Sequence, residues 1–110
     1  MKVLITGGCG YKGSVLVPKL LDLGHEVIVH DTQWFGSFIK PHANLQIKKS
    51  DIRKTDEFNF NGIDALIHLA NVANDPAVEL NPVSSWEINV LASQQLVDKA
   101  VRQGVDHIIF

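Results

Sequence analysis

Lys2-Val3-Leu4-Ile5-Thr6-Gly7-Gly8-Cys9-Gly10-Tyr11-Lys12-Gly13-Ser14 passes from an apolar, β-rich stretch through a glycine turn into a stretch with helical apolar spacing. Residues 1–5 read as a strand closed by Thr6. Val15, Leu16, Leu20 and Leu23 then recur at roughly helical intervals, which predicts a helix over 14–23 with Gly24 as its stop. Pro18 is expected early in that helix, where the loss of one backbone bond is tolerated. Glycines at 7, 10 and 13 in a strand-to-helix turn suit a phosphate. The first allows a tight reversal, the next lets backbone approach a pyrophosphate, and the last lets helix and strand pack closely. Unpaired N–H groups at the helix start hold the anion, helped by the positive end of the helix dipole. By itself the loop fits equally well a glycine-rich turn that binds nothing.

The chain has 110 residues, of which 45% are hydrophobic, enough for one core and no more. A formal net charge of -2 and the lack of a basic run exclude a global attraction to nucleic acid or to anionic membrane. No apolar stretch is long enough to span a bilayer, and the N-terminal residues run straight into the glycine turn without a cleavable signal pattern. A cytoplasmic location is expected. Cys9 is the single cysteine, so neither an internal disulfide nor a cysteine-rich zinc site is available. A small residue filling the loop is its plainer role, although a helix N-terminus lowers thiol pKa values.

Beyond the first helix, residues 25–30 form a β-branched run closed by Asp31, the second strand. Residues 32–44 hold Trp34, Phe35, Gly36, Phe38 and Pro41 without a clean period and read as a loop or broken helix. Alternation over 45–49 suggests a third, partly exposed strand, and 63–70 hold a fourth strand with its turn. Pro82 with Ser84 or Ser85 starts a long helix to about Gln103, with Ile88, Leu91, Ala92 and Leu96 on one stripe and Val90, Val97 and Val101 on another. Gly104 stops it, and 105–110 form a fifth strand. Strands joined by helical or loop crossovers predict an α/β fold: a doubly wound, Rossmann-type parallel sheet of order 3-2-1-4-5.

That topology brings Thr6/Gly7, Asp31, Asp51 and Leu69/Ala70 to one edge, where such sheets bind ligands. Asp31 lies roughly 20 residues past the glycine turn, where a carboxylate accepts both hydroxyls of an adenosine ribose and repels a 2′-phosphate, favouring NAD over NADP. A turn or capping residue is the competing reading. Asp51 is placed to take the adenine amino group while Ile52 packs on the ring; alternatively it is a helix N-cap before Arg53-Lys54. Lys12 either approaches the pyrophosphate or is an exposed lysine of the first helical turn. His68 ends a buried strand and is at least as compatible with a hydrogen-bonded core residue as with a catalytic one. His25, His30, His42 and His107 lack ligand spacing, so no metal site is expected.

Taken together, the glycine loop at 6–13, Asp31, Asp51-Ile52, His68-Leu69-Ala70 and Trp86-Glu87-Ile88-Asn89-Val90 resemble the extended short-chain dehydrogenase/reductase family, specifically nucleotide-sugar epimerases and dehydratases. The resemblance covers the whole chain. It implies that Gly7, Gly10 and Gly13, with Tyr11 and Lys12, bind the NAD pyrophosphate, that Asp31 and its neighbour Thr32 serve the ribose, and that Asp51-Ile52 serve the adenine. Leu69, Ala70 and Asn71 would line the nicotinamide half, with Asn89 supporting the loop beside it. NAD is the implied cofactor and a nucleotide-sugar the implied substrate of the full-length protein. The long helix near 84–103 would join a homodimer.

Two substitutions depart from the family pattern: Lys12 stands for an aliphatic residue, and Asn71 for a second small one. The sequence also reaches Phe110 before the family's catalytic Ser/Thr and Tyr-x-x-x-Lys. Tyr11 is the only tyrosine, so no catalytic residue is expected within 1–110. The chain is thus expected to be the N-terminal, NAD-binding part of a longer enzyme that oxidises a sugar hydroxyl transiently, without activity of its own. The competing readings are a non-catalytic dinucleotide-sensing or protein-interaction module and a methyltransferase. The Gly-x-x-Gly-x-x-Gly spacing and the lack of an acidic residue in the first strand argue against a methyltransferase.

Overall fold

The computed structural model describes residues 1–8, 11–31, 40–70 and 87–109. Strands β1 (Lys2–Thr6), β2 (Glu26–Asp31), β3 (Leu45–Lys49), β4 (Ala65–His68) and β5 (His107–Ile109) make one sheet of order β3-β2-β1-β4-β5. Every pairing is parallel, as the sequence pattern requires. Helix α1 (Tyr11–Asp22) follows β1, and helix α2 (Ser93–Arg102) precedes β5.

Period-two alternation divides the core between the two faces of the sheet. Val3, Ile5, Val27, Val29, Ala65 and Ile67 point to one face and pack with Val17 and Leu21 of α1. Leu4 and Leu66 point to the other and pack with Ala92, Leu96 and Ala100, and with Ile52, Phe58 and Phe60 from the segment between β3 and β4. The central strands are therefore apolar on both sides, whereas edge strand β3 alternates half-buried with exposed residues. Among the described residues no helix is long and apolar enough to cross a membrane.

Both helices end as the glycines foretell. Gly24, at φ 88°, donates its N–H to Leu21 O at 3.0 Å while His25 donates to Leu20 O at 3.1 Å. That pair of bonds satisfies carbonyls the helix itself leaves open. The same pair recurs after α2, from Gly104 to Val101 O and from Val105 to Ala100 O.

Three expectations need correction. Helix α1 begins at Tyr11 rather than at 14, so Pro18 lies past its middle instead of in its first turns. Its side chain is exposed, which spares the core but leaves the helix one N–H short. The fourth strand narrows to Ala65–His68, flanked by Asp64 and Leu69 bonded across to Lys2 O and Thr6 O of β1. The fifth begins at His107 rather than 105, since Val105 closes the end of α2 on Ala100 O.

The third correction concerns the long helix. Its described part is a π turn over Glu87–Ala92 that runs on into α2. Ala92, Leu96 and Ala100 are buried as a stripe, but Leu91, expected on that stripe, is 44% exposed. Leu91 lies roughly a quarter turn from Ala92 on the side away from Leu96 and Ala100, which turns it out of the stripe. The start expected near 84 and the aromatic segment at 34–38 lie outside the described residues.

Candidate cofactor site

The site is built on the C-terminal ends of β2, β1 and β4. Thr6 is in register with His30 on one side and with His68 on the other. Gly7 follows at φ 71°, a left-handed backbone that favours glycine. Its N–H donates to His30 O at 2.8 Å, and a Cβ there would stand 2.7 Å from Ala70 N. The turn after β1 is thus laid directly against the Leu69-Ala70 backbone, and no side chain fits between them.

Gly8 and Gly13 serve helix placement. A Cβ on Gly8 would lie 2.7 Å from Val29 Cγ1, and one on Gly13 would collide with the Gly8 carbonyl. The first turn of α1 therefore rests on the loop itself, the close packing expected of the third glycine. Gly8 is a structural requirement that the spacing template passed over; the signal was its place in a buried turn facing a strand. The first turn of α1 carries no acidic residue, and helix geometry leaves the opening N–H groups of any α-helix without an intrahelical acceptor. Lys12 is exposed there and adds positive charge to the positive end of the helix dipole.

Asp31 closes β2 half-buried, and its carbonyl accepts Ser50 N–H at 2.9 Å. It shares the sheet edge with Gly7 because β1 and β2 are neighbours. Leu69 donates to Thr6 O at 2.9 Å, and Ala70 N–H reaches Thr6 Oγ1 at 3.3 Å. The strand ends named from the sequence, Thr6/Gly7, Asp31 and Leu69/Ala70, are therefore adjacent. Gly10, Thr32 and Asn71, and the side chains of Tyr11 and Asn89, lie outside the described residues.

Asp51 forms a turn with Arg53. Its Oδ1 accepts Arg53 N–H at 2.9 Å, and its carboxylate takes the guanidinium at both oxygens. Burial works to raise the Asp51 carboxyl, but the hydrogen bonds and charge of Arg53, with Lys54 beside it, hold it below its ordinary value. A local turn from Asp51 to Arg53 accounts for this geometry, and the helix N-cap expected at Asp51 is not formed. The short helix at Thr55–Glu57 starts later, after Lys54, which makes no side-chain cap. Ile52 is 5% exposed and belongs to the core with Phe58 and Phe60.

Two buried histidines lie beneath the edge. His68 Nδ1 is 2.6 Å from Thr6 Oγ1, and its Nε2 is 2.7 Å from Ser93 Oγ. Burial lowers its imidazole pKa, keeping it neutral at physiological pH, as suits a hydrogen-bonded core residue. His30 Nδ1 lies 2.7 Å from Ser50 Oγ, and its ring stacks on Phe58 at 4.2 Å between centroids. Its burial and then the nearby Lys48 charge push its pKa down to about 4. Neither Ser50 nor Ser93 stood out in the sequence, since lone serines at element ends are common. Among the described residues no group of three or more His, Cys, Asp or Glu is arranged to hold a metal. A groove of about 560 Å³ lined by Thr55, Gln95, Asp98, Val101 and Arg102 contains none of these strand-end residues.

Known proteins match this arrangement. The NAD dependent epimerase/dehydratase family model matches residues 3–110. A UDP-glucose 4-epimerase of Corynebacterium glutamicum is 30% identical over 100% of this chain and 34% of its own length. The UDP-glucose 4-epimerase of Thermotoga maritima, solved with UDP-glucose, superposes over 100% of this chain and 37% of that one, with a TM-score of 0.89 and 29% identity. The UDP-glucose 4-epimerase of Thermus thermophilus, solved in complex with NAD, gives a TM-score of 0.85 and 29% identity over 100% of this chain and 37% of that one. The chain thus spans about a third of the length of these relatives. With residues 3–110 matched, the chain belongs to the NAD dependent epimerase/dehydratase family.

Proposed function

We propose that this chain holds NAD across the carboxyl edge of its sheet, as the N-terminal, cofactor-binding part (1–110) of a nucleotide-sugar epimerase or dehydratase. One observation carries the reading: Gly7, Asp31 and Ala70 meet at neighbouring strand ends beside the positive end of α1. The donor set fits the group. In this reading the turn of Gly7, Gly10 and Gly13, with the Tyr11 and Lys12 amides, receives the pyrophosphate. Asp31 and Thr32 take the ribose hydroxyls, Asp51 and Ile52 border the adenine, and Leu69, Ala70, Asn71 and Asn89 border the nicotinamide half.

When bound, NAD supplies a hydride acceptor for a sugar carbon. The residues of this chain bind and orient it; none is assigned a proton-transfer role, the single tyrosine belonging to the first turn of α1. The nucleotide-sugar is a partner of the full-length protein, by analogy with the relative solved with UDP-glucose. A homodimer through the helix near 84–103 and a cytoplasmic setting complete the reading. Exposed Val90, Leu91 and Val101 support the first, and a single cysteine the second.

Calorimetric titration of the folded chain with NAD tests the proposal. Binding is expected, with NADP weaker than NAD. Asp31→Ala removes charge-assisted hydrogen bonds and is expected to weaken NAD by roughly tenfold to a hundredfold while narrowing the gap to NADP. A folded sample that takes up no NAD overturns the proposal.

A further inference from the structure

The last layer of the sheet on the α2 face is polar. Leu4, Ile28 and Leu66 fill the layer beneath it, and Thr6, His30 and His68, two residues further along β1, β2 and β4, form a row in register. Thr6 is 0% and His68 8% exposed. The row lies directly under the Gly7 and Ala70 backbones, and Ser93, at the start of α2, closes its β4 end.

We propose that Ser93 is a positioning residue for the cofactor turn, acting through His68 and Thr6 on the Leu69-Ala70 backbone. The proposal rests on the NAD reading above and names a residue that lies outside both the glycine loop and the sheet. Its basis is the direction of the hydrogen bonds. A neutral imidazole offers one donor and one acceptor. If Thr6 donates to Nδ1, Nε2–H must donate to Ser93. If Nδ1–H donates to Thr6, Ser93 must donate to Nε2. The ring therefore couples the two hydroxyls: the direction of the Ser93 bond sets the tautomer, and with it the direction of the Thr6 bond.

Thr6 in turn holds both N–H groups that shape the floor, Leu69 through its carbonyl and Ala70 through Oγ1. Because Gly7 abuts Ala70 with no room for a Cβ, a shift of Ala70 displaces the turn that faces the pyrophosphate. Burial strengthens each link, since an unmatched polar group in such surroundings has no water to turn to.

The test uses the folded chain and two independent readouts. The first is nuclear magnetic resonance of the His68 ring nitrogens and of Ala70 amide exchange, without NAD. The wild type is expected to show one neutral tautomer; a mixture of the two overturns the relay. Ser93→Ala is expected to mix the tautomers and to speed Ala70 exchange, and Ser93→Thr, which keeps the hydroxyl, to restore both.

The second readout is NAD affinity. Ser93→Ala is expected to weaken it roughly threefold to tenfold, the loss of one hydrogen bond's effect. Thr6→Val breaks the same chain, so Thr6→Val with Ser93→Ala should bind about as well as Thr6→Val alone. Additive losses overturn the relay, as do unchanged ring signals and Ala70 exchange in Ser93→Ala. A folded wild type that binds no NAD but shows the Ser93 effect on Ala70 overturns the cofactor reading instead.

Discussion

His30 sits at the end of β2 with its ring on Phe58 and its Nδ1 against Ser50. The unfolded chain takes up this proton near pH 6.5, whereas in the fold it binds only near about 4. Stability is therefore complete above pH 6.5 and falls as the pH drops toward 4, because the unfolded state then binds more protons. The full effect of this one residue is about 3 kcal/mol. His68, lowered in the same direction by burial, adds to it. Melting curves between pH 7 and 4.5 should show the decline, and His30→Phe, which keeps the aromatic stack, should flatten it. An unchanged slope in that variant would assign the acid sensitivity elsewhere. Gly13→Ala forces a methyl group onto the Gly8 carbonyl and is expected to cost about 1–3 kcal/mol in a denaturant midpoint. Glycines and Asp31 were legible because their chemistry goes with fixed spacing. His30, Ser50 and Ser93 were not. Their roles arise only when distant strands come into register, which no local pattern records.

At the scale of elements, α1 carries a visible conflict. Its apolar side packs Val17 and Leu21 against the sheet, yet exposed Pro18 sits within it and cannot donate to the preceding turn. Tertiary burial outweighs the local defect. Pro18→Ala restores that donor on the solvent face, while giving the unfolded chain more freedom. A net stabilisation of about 1–2 kcal/mol is expected, read as a rise in melting temperature. A lowered melting temperature would mean that the bend at Pro18 is needed for packing. The strands and both helix stops were legible from alternation and from Gly24 and Gly104. Helix boundaries were less so, since the sequence marks apolar positions and says little about where hydrogen bonding begins. Leu91 shows the limit of such marking: it adjoins Ala92 in sequence but lies roughly a quarter turn from it around the helix, away from Leu96 and Ala100, and is exposed.

Across the whole molecule, the order β3-β2-β1-β4-β5 does two things at once. It gathers the ends of β2, β1 and β4 into one edge, and it places α2 on the face away from α1, with a second side of its own. Both were legible, because strand order follows from the sequence of crossovers and a double apolar stripe needs two partners. On the outward side Val90, Leu91 and Val101 are 51%, 44% and 59% exposed. A second copy of α2 is an occupant such a face would accept, since apolar contact across a two-fold axis is self-complementary. Light scattering over a range of concentrations should then give a mass that rises toward a dimer. Leu91→Glu with Val101→Glu places charge where burial would occur and should hold the chain as a monomer. Because both side chains face solvent in the single chain, the melting temperature of the dilute monomer should change little, within about 0.5 kcal/mol per site. NAD affinity should also persist, as neither residue belongs to the strand-end site. A mass that stays monomeric at every concentration in the unaltered chain would remove α2 as a self-association surface and leave the cofactor edge untouched.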